Sequence, residues 1–74
     1  MNIYPNPTTG IINLSSDLNS ITEIEIYELT CKLVLSKKDD SIKKVDISHL
    51  SKGLYVVKII DSEQEIKIEK LIKN

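Results

Sequence analysis

The chain contains no alanine, phenylalanine or tryptophan, and this absence is the first indication of its fold class. Alanine is the strongest helix former, whereas isoleucine and valine, which are frequent here, favour strands. We therefore predict an all-β domain. The 74 residues suffice for one domain. A domain near this size buries only about 60% of the surface that its unfolded chain exposes.

Arginine is also absent, and the formal net charge of the chain is −1. A nucleic-acid-binding domain is expected to carry a basic excess that includes arginine for base contacts. No apolar run approaches the roughly 20 residues needed to cross a bilayer. The sequence therefore predicts no nucleic-acid partner and no membrane insertion.

Residues suited to catalysis or to metal binding are scarce. Cys31 is the only cysteine, so no internal disulfide can form, and His49 is the only histidine. Two glycines cannot make a glycine-rich phosphate loop, and the acidic clusters at 39–40 and 61–63 do not match an EF-hand. We predict that the chain is not an enzyme and needs no cofactor or metal. A small enzyme built on Cys31 and His49 would require contact between those two side chains.

Short apolar segments separated by turn signals predict an antiparallel β-sandwich of about seven short strands. The clearest alternation lies in residues 21–29, where Ile24 and Ile26 alternate with Glu23 and Glu25. This pattern is typical of a strand with one face in the core and one in water.

Residues 46–60, DISHLSKGLYVVKII, are expected to organise the domain. The strand from Gly53 to Ile60 is apolar on both faces, so we expect it to be central and covered on both sides. Gly53 is free to take a positive φ before this strand. Leu50 is expected to pin the preceding turn to the core, and His49 is expected to be a solvated turn residue.

The last predicted strand, from Glu65 to Ile72, is expected at a sheet edge, where a further strand could pair with it. Ile66 and Ile68 alternate with charged residues, but Leu71 and Ile72 are adjacent. This break in the alternation predicts a bulge or a second buried face.

Several motifs occur together in a recognisable order. The chain opens with Tyr4-Pro5-Asn6-Pro7 and Gly10, has Leu50, Gly53 and Tyr55 at its centre, and closes with Glu69-Lys70-Leu71-Ile72. In this order and spacing, the chain closely resembles the type A C-terminal sorting domain of the type IX secretion system of Bacteroidetes.

The resemblance implies a single Ig-like sorting domain over residues 1–74, with Tyr4, Gly10, Leu50, Gly53 and Tyr55 as structural motif residues. It also implies a signal that directs a cargo protein through the outer membrane by binding translocon and shuttle proteins. A sortase-like peptidase commonly removes such a domain, and the cargo passes through the periplasm to the cell surface or the medium. Cys31 stands where members typically have a turn glycine, which questions the turn type at that point.

We expect partner recognition to use the proline-rich turn and the C-terminal segment, with lysines that steer an acidic partner. The candidate recognition residues are Pro5, Asn6, Pro7, Lys67, Lys70, Leu71 and Lys73. Alternatively, these lysines only prevent aggregation at a sheet edge. We expect a monomer, with weak dimerisation through edge strands as the alternative.

A second hypothesis is an Ig-like or fibronectin-like structural or carbohydrate-binding module of a surface enzyme. Sugar-binding platforms usually present exposed aromatic side chains, and a row of Tyr4, Tyr27 and Tyr55 on one face would support this function.

Overall fold

A computed structural model of the chain describes residues 2–4, 10–15 and 19–74. Within these ranges the chain forms seven strands and no helix that could cross a membrane. The strands are β1 (Asn2–Tyr4), β2 (Ile11–Ser15), β3 (Ile21–Glu28), β4 (Leu33–Lys38), β5 (Lys44–Asp46), β6 (Gly53–Asp61) and β7 (Ile66–Lys73).

The strands form two antiparallel sheets. One has three strands in the order β1-β2-β5, and the other has four in the order β4-β3-β6-β7. This arrangement confirms the predicted small all-β sandwich. Short turns connect β3 to β4 and β6 to β7, whereas the chain changes sheet between β2 and β3 and again on either side of β5.

The core lies between the facing sides of the two sheets. Ile24 and Ile26 of β3 are opposite Ile59 and Val57 of β6, and all four are fully buried. Removing aliphatic side chains of this size from water is the main source of stability in a domain without disulfides. The buried apolar residues are Ile12, Leu14, Ile21, Ile24, Ile26, Ile42, Val45, Ile47, Tyr55, Val57, Ile59 and Leu71.

Strand β6 is central in its sheet, as predicted, but only one of its faces is covered. Tyr55, Val57 and Ile59 point into the core, whereas Leu54 is 40% exposed and Val56 is half-buried. The expectation of cover on both faces is therefore wrong for the described residues. A sandwich of two sheets gives each sheet one inner face, and an apolar outer face does not by itself supply a third layer.

The turn before β6 has the organisation that its sequence predicted. Leu50 packs against the core, and His49 is exposed. The hydroxyl of Tyr55 donates a 2.5 Å hydrogen bond to the carbonyl of Ser51, which closes the turn onto the strand. Such a tyrosine corner is a known feature of Ig-like sandwiches. Gly53 has a φ of 152°, and a Cβ there would meet nothing within 4 Å. Glycine is therefore favoured by the backbone conformation and not by a lack of room for a side chain.

The β3–β4 hairpin keeps a left-handed residue at its tip although that residue is cysteine. Cys31 has a φ of 68°, and its N–H donates to the carbonyl of Glu28 at 2.9 Å. The substitution of cysteine for the usual glycine has therefore not changed the sign of φ in this turn.

Candidate functional site

The C-terminal strand β7 is an edge strand in the described part of the chain, where it pairs only with β6. The register of the pair is continuous from Ile66 opposite Ile60 to Lys73 opposite Gly53. The predicted bulge at Leu71 and Ile72 is therefore absent. Leu71 is in the core and Ile72 is on the outer face, so these neighbours follow ordinary alternation.

The hydrogen bonding of the β6–β7 hairpin determines which backbone groups of β7 point outward. The N–H of Asp61 donates to the carbonyl of Glu65 at 3.1 Å. Hydrogen-bonded pairs alternate with non-hydrogen-bonded pairs along an antiparallel ladder. The odd-numbered residues of β7 therefore exchange hydrogen bonds with β6, and the N–H and C=O groups of Ile66 and Ile68 point away from the sheet.

The outer face of β6 and β7 carries a group of aliphatic side chains that we call the apolar stripe. Directly opposite residues share a face, so the register places Leu54 beside Ile72 and Ile60 beside Ile66. Two lysines lie on the same face, Lys58 opposite Ile68 and Lys70 opposite Val56, and they interrupt the aliphatic side chains. Ile66 is 57% exposed and Ile68 is 58% exposed. Exposed apolar side chains that lie together on a surface often mark a binding site. The stripe consists of Leu54, Val56, Ile60, Ile66, Ile68 and Ile72.

The outer face of β3 and β4 is polar by contrast. Lys38 pairs with Glu23 at 3.5 Å, and Lys58 pairs with Glu25 at 3.8 Å. The hydroxyl of Tyr27 donates to Glu25 at 3.0 Å, and this bond to a carboxylate raises the pKa of Tyr27 above its ordinary value. The charges on this half of the sheet have partners within the domain, so the face resembles ordinary solvated surface.

The turn before β7 is held by one buried carboxylate. Asp61 is 4% exposed, and its Oδ1 accepts hydrogen bonds from the N–H groups of Glu63 at 2.9 Å and Glu65 at 3.0 Å. Gln64 in the same turn has a φ of 66°. Asp61 is therefore a structural residue that sets the start of β7.

The structure distributes the predicted recognition residues unequally. Lys67 and Lys70 are exposed, whereas Leu71 is fully buried and Lys73 is 8% exposed. Lys67 lies 3.9 Å from Glu69 on the inner face. Of these four residues, only Lys67 and Lys70 offer much side-chain surface to a partner in the folded domain. The proline-rich turn, Pro5, Asn6 and Pro7, lies outside the described residues.

The isoleucines of the apolar stripe were not among the predicted site residues. Their alternation with Lys67 and Glu69 indicates a strand with two unlike faces, and the register places the charged residues on the inner side. The signal that could have revealed this orientation was Leu71, which shares a face with Lys67 and Glu69.

The structure does not place together the residues that a small enzyme or a carbohydrate-binding module would need. Cys31 and His49 lie in different turns, and no hydrogen bond joins them. The described residues contain no group of three or more side chains suited to hold a metal ion. The three tyrosines do not form a row, because Tyr4 is in the three-stranded sheet, Tyr27 is on the outer face of the other sheet and Tyr55 is buried.

Comparison with known proteins relates the chain to a family of export signals. The profile described as "Secretion system C-terminal sorting domain" matches residues 2–74. The chain is 31% identical over 72 residues to a beta-agarase D of Zobellia galactanivorans, and 28% identical over 74 residues to the ulvan lyase NLR42 of Nonlabens ulvanivorans.

Each of these matches covers 97% of this chain but only 14% of the enzyme. The similarity therefore concerns a short part of each enzyme, and the family itself is one of sorting domains rather than of catalytic domains. The chain belongs to the C-terminal sorting domains of the type IX secretion system.

Proposed function

We propose that this domain directs an attached cargo protein through the outer membrane, and that translocon and shuttle proteins recognise it directly. In this proposal the cargo passes through the periplasm, a sortase-like peptidase removes the domain, and the cargo remains on the cell surface or enters the medium. Membership of the sorting-domain family supports the export role. The match to a small part of two long enzymes supports a signal that is separate from the chemistry of its cargo.

The observation that carries the recognition step is the exposure of β7. This strand lies at a sheet edge among the described residues, and the side chains of Lys67 and Lys70 are exposed. Its Leu71 anchors it in the core, so the strand is held in a fixed position. A rigid edge with accessible charges suits recognition by another protein.

Transfer of the signal to an unrelated protein tests the export role. A fluorescent reporter with a signal peptide is joined to these 74 residues and expressed in a bacterium with type IX secretion. We expect the fusion outside the outer membrane and the reporter without the domain in the periplasm. Retention of both proteins in the periplasm would contradict the proposal.

Charge reversal tests the contribution of the exposed lysines. We expect Lys67→Glu combined with Lys70→Glu to reduce export of the fusion, because a partner selected by positive charge would be repelled. Lys32→Glu combined with Lys37→Glu makes the same change of charge at exposed positions away from β7. Equal export of the two double variants would show that these lysines do not guide recognition.

The proline-rich turn can be tested in the same fusion. Replacement of Pro5 and Pro7 by alanine removes two fixed φ angles from this turn. We expect lower export if the turn is part of the recognised surface. Unchanged export, with an unchanged thermal unfolding midpoint, would limit recognition to the C-terminal segment.

A further inference from the structure

We propose that the segment Ile66–Ile68 of β7 accepts an extended strand from a partner protein, and that this strand carries an acidic residue between two apolar residues. The inference rests on the proposed function, since it names the chemistry by which a partner would recognise the sorting domain. The partner strand would pair with the edge of β7, place its acidic residue opposite Lys67 and cover part of the apolar stripe.

The backbone of this segment is suited to strand addition. The N–H and C=O groups of Ile66 and Ile68 point away from β6, as the hairpin hydrogen bond of Asp61 requires. Lys70 and Ile72 have other interaction partners, so the proposed contact is confined to the start of β7. An added strand would satisfy main-chain groups on both sides, which is the usual source of affinity in this mode of recognition.

Other edges of the described sheets are less suitable. β1 and β5 have three residues each, and β4 ends in the exposed pair Lys37 and Lys38. Short length and exposed lysines are common ways of protecting an edge from pairing. The start of β7 also has one exposed lysine, Lys67, but the isoleucines on either side of it are more than half exposed.

The two faces of the segment define the side chains of the partner strand. Ile66 and Ile68 belong to the apolar stripe on the outer face, so apolar partner residues would bury surface there. Lys67 lies on the inner face with its side chain half exposed and 3.9 Å from Glu69. A carboxylate opposite Lys67 would share this lysine with Glu69 in a second ion pair. Because successive residues of a strand alternate between faces, the complementary pattern is apolar, acidic, apolar.

A second copy of this chain fits the segment less well. Antiparallel pairing of Ile66–Ile68 with itself would place Lys67 opposite the same lysine of the other copy. Like charges that are directly opposite each other destabilise a strand pair. The charge pattern therefore favours a different chain with an acidic residue at that position.

A peptide probe tests the proposed specificity. The peptide Thr-Thr-Ile-Glu-Ile-Tyr has one acidic residue between two isoleucines. The residues two places from its glutamate are threonine and tyrosine, so no second carboxylate faces Glu65 or Glu69. We would label this peptide with a fluorophore and measure its binding to the 74-residue domain by anisotropy, with Thr-Thr-Ile-Lys-Ile-Tyr as its charge-reversed counterpart. We expect the acidic peptide to bind about fivefold more tightly, from one favourable cross-strand pair.

Three variants make the result specific to the edge. Lys67→Glu should reverse the preference between the two peptides, and Ile66→Lys with Ile68→Lys should abolish binding. The matched control is Leu29→Lys with Leu33→Lys, which changes two exposed aliphatic residues to lysine away from β7. This control should leave binding unchanged. The isoleucine variant should keep its thermal unfolding midpoint, because both side chains are already largely in water. Equal binding of both peptides to all variants, or no binding of either peptide, would overturn the proposal.

The reporter fusion separates this inference from the proposed function. If the unmodified fusion is exported and the Ile66→Lys, Ile68→Lys fusion is exported equally well, the edge inference fails while the export role stands. If the unmodified fusion is not exported, the export role fails, and the peptide measurement still decides whether the edge accepts a strand. A dimer of the unmodified domain that the isoleucine variant abolishes in sedimentation would assign the edge to a second copy and overturn the inference.

Discussion

Cys31 holds the tip of the β3–β4 hairpin in a conformation that favours glycine. Its φ of 68° is left-handed, and such a conformation costs a residue with a Cβ about 1 to 2 kcal/mol. The side chain is exposed, so its removal loses little packing. We predict that Cys31→Gly raises the free energy of unfolding by about 0.5 to 1 kcal/mol, after the greater flexibility of glycine in the unfolded chain is counted.

Urea unfolding of the wild type, Cys31→Gly and Cys31→Ala measures this effect. The alanine variant removes the thiol but keeps the Cβ, so it should stay within about 0.5 kcal/mol of the wild type. A glycine variant no more stable than the alanine variant would contradict the conformational explanation.

Tyr55 contributes a hydrogen bond as well as its ring. Its hydroxyl is 2.5 Å from the carbonyl of Ser51, and the residue is buried. We predict that Tyr55→Phe lowers the free energy of unfolding by about 1 kcal/mol, because the ring still fills the core while the bond is lost. Tyr27→Phe is the control, since the hydroxyl of Tyr27 bonds to a side chain on the outer face. Equal effects of the two substitutions in urea unfolding would refute a special role for the tyrosine corner.

Asp46 should make stability depend on acid pH. Hydrogen bonds from the hydroxyl and then the N–H of Ser48 lower the pKa of Asp46 below its ordinary value of 3.8. A carboxyl with a lowered pKa in the folded state adds stability that is fully present above pH 3.8 and is lost as pH falls through the folded pKa.

We therefore predict that Asp46→Asn is less stable than the wild type at pH 7 and that this difference shrinks below pH 3.8. Urea unfolding across this range measures it, with Asp40→Asn as a control for the same change of charge. A difference between wild type and Asp46→Asn that is constant with pH would contradict this explanation.

Among the structural elements, the β6–β7 hairpin depends most clearly on one side chain. The carboxylate of Asp61 accepts two backbone N–H groups of the turn and is itself buried. We predict that Asp61→Ala lowers the free energy of unfolding by about 2 kcal/mol, and that Asp61→Asn, which keeps one acceptor oxygen, costs about half as much.

Thermal and urea unfolding of both variants check this ranking. Hydrogen exchange should also show faster exchange at residues 63–66 in the alanine variant, because the turn opens first. An alanine variant with wild-type stability would mean that the turn forms without the carboxylate.

The sequence predicted the strands of this fold well where one face carries charge and the other does not. In β3 the isoleucines are buried and the glutamates lie outside, as their alternation indicated. In β7 the same kind of pattern has the opposite orientation, because Ile66 and Ile68 lie on the outer face. Only the pairing of Leu71 with Tyr55 and of Glu69 with Val57 determines its orientation, and such pairing is a tertiary property.

The position of the last strand at a sheet edge was predicted from the sequence, and the described residues place β7 at an edge. The structure leaves Lys67 and Lys70 exposed, and their role in recognition stays a prediction. The burial of Leu71 and Lys73 could not be foreseen, because it depends on tertiary packing at the end of β7. For the same reason the exposure of Ile66 and Ile68 was missed.

At the scale of the whole molecule, the described residues combine a single core layer with exposed aliphatic side chains on one outer face. The core is built almost wholly from aliphatic residues, and the domain has no disulfide to supplement it. An exposed apolar stripe beside a sheet edge is a liability for a soluble domain unless another molecule binds there. This combination fits a domain that is folded and recognised as a unit.

The central claim is that this domain is a sufficient signal for type IX export, and one measurement tests it most directly. The reporter fusion is expressed at equal levels in matched strains with and without the outer-membrane translocon, and its amounts in the periplasm, on the surface and in the medium are compared. We predict external reporter only in the strain that has the translocon. Reporter that stays in the periplasm of both strains, or that leaves both equally, would contradict the claim.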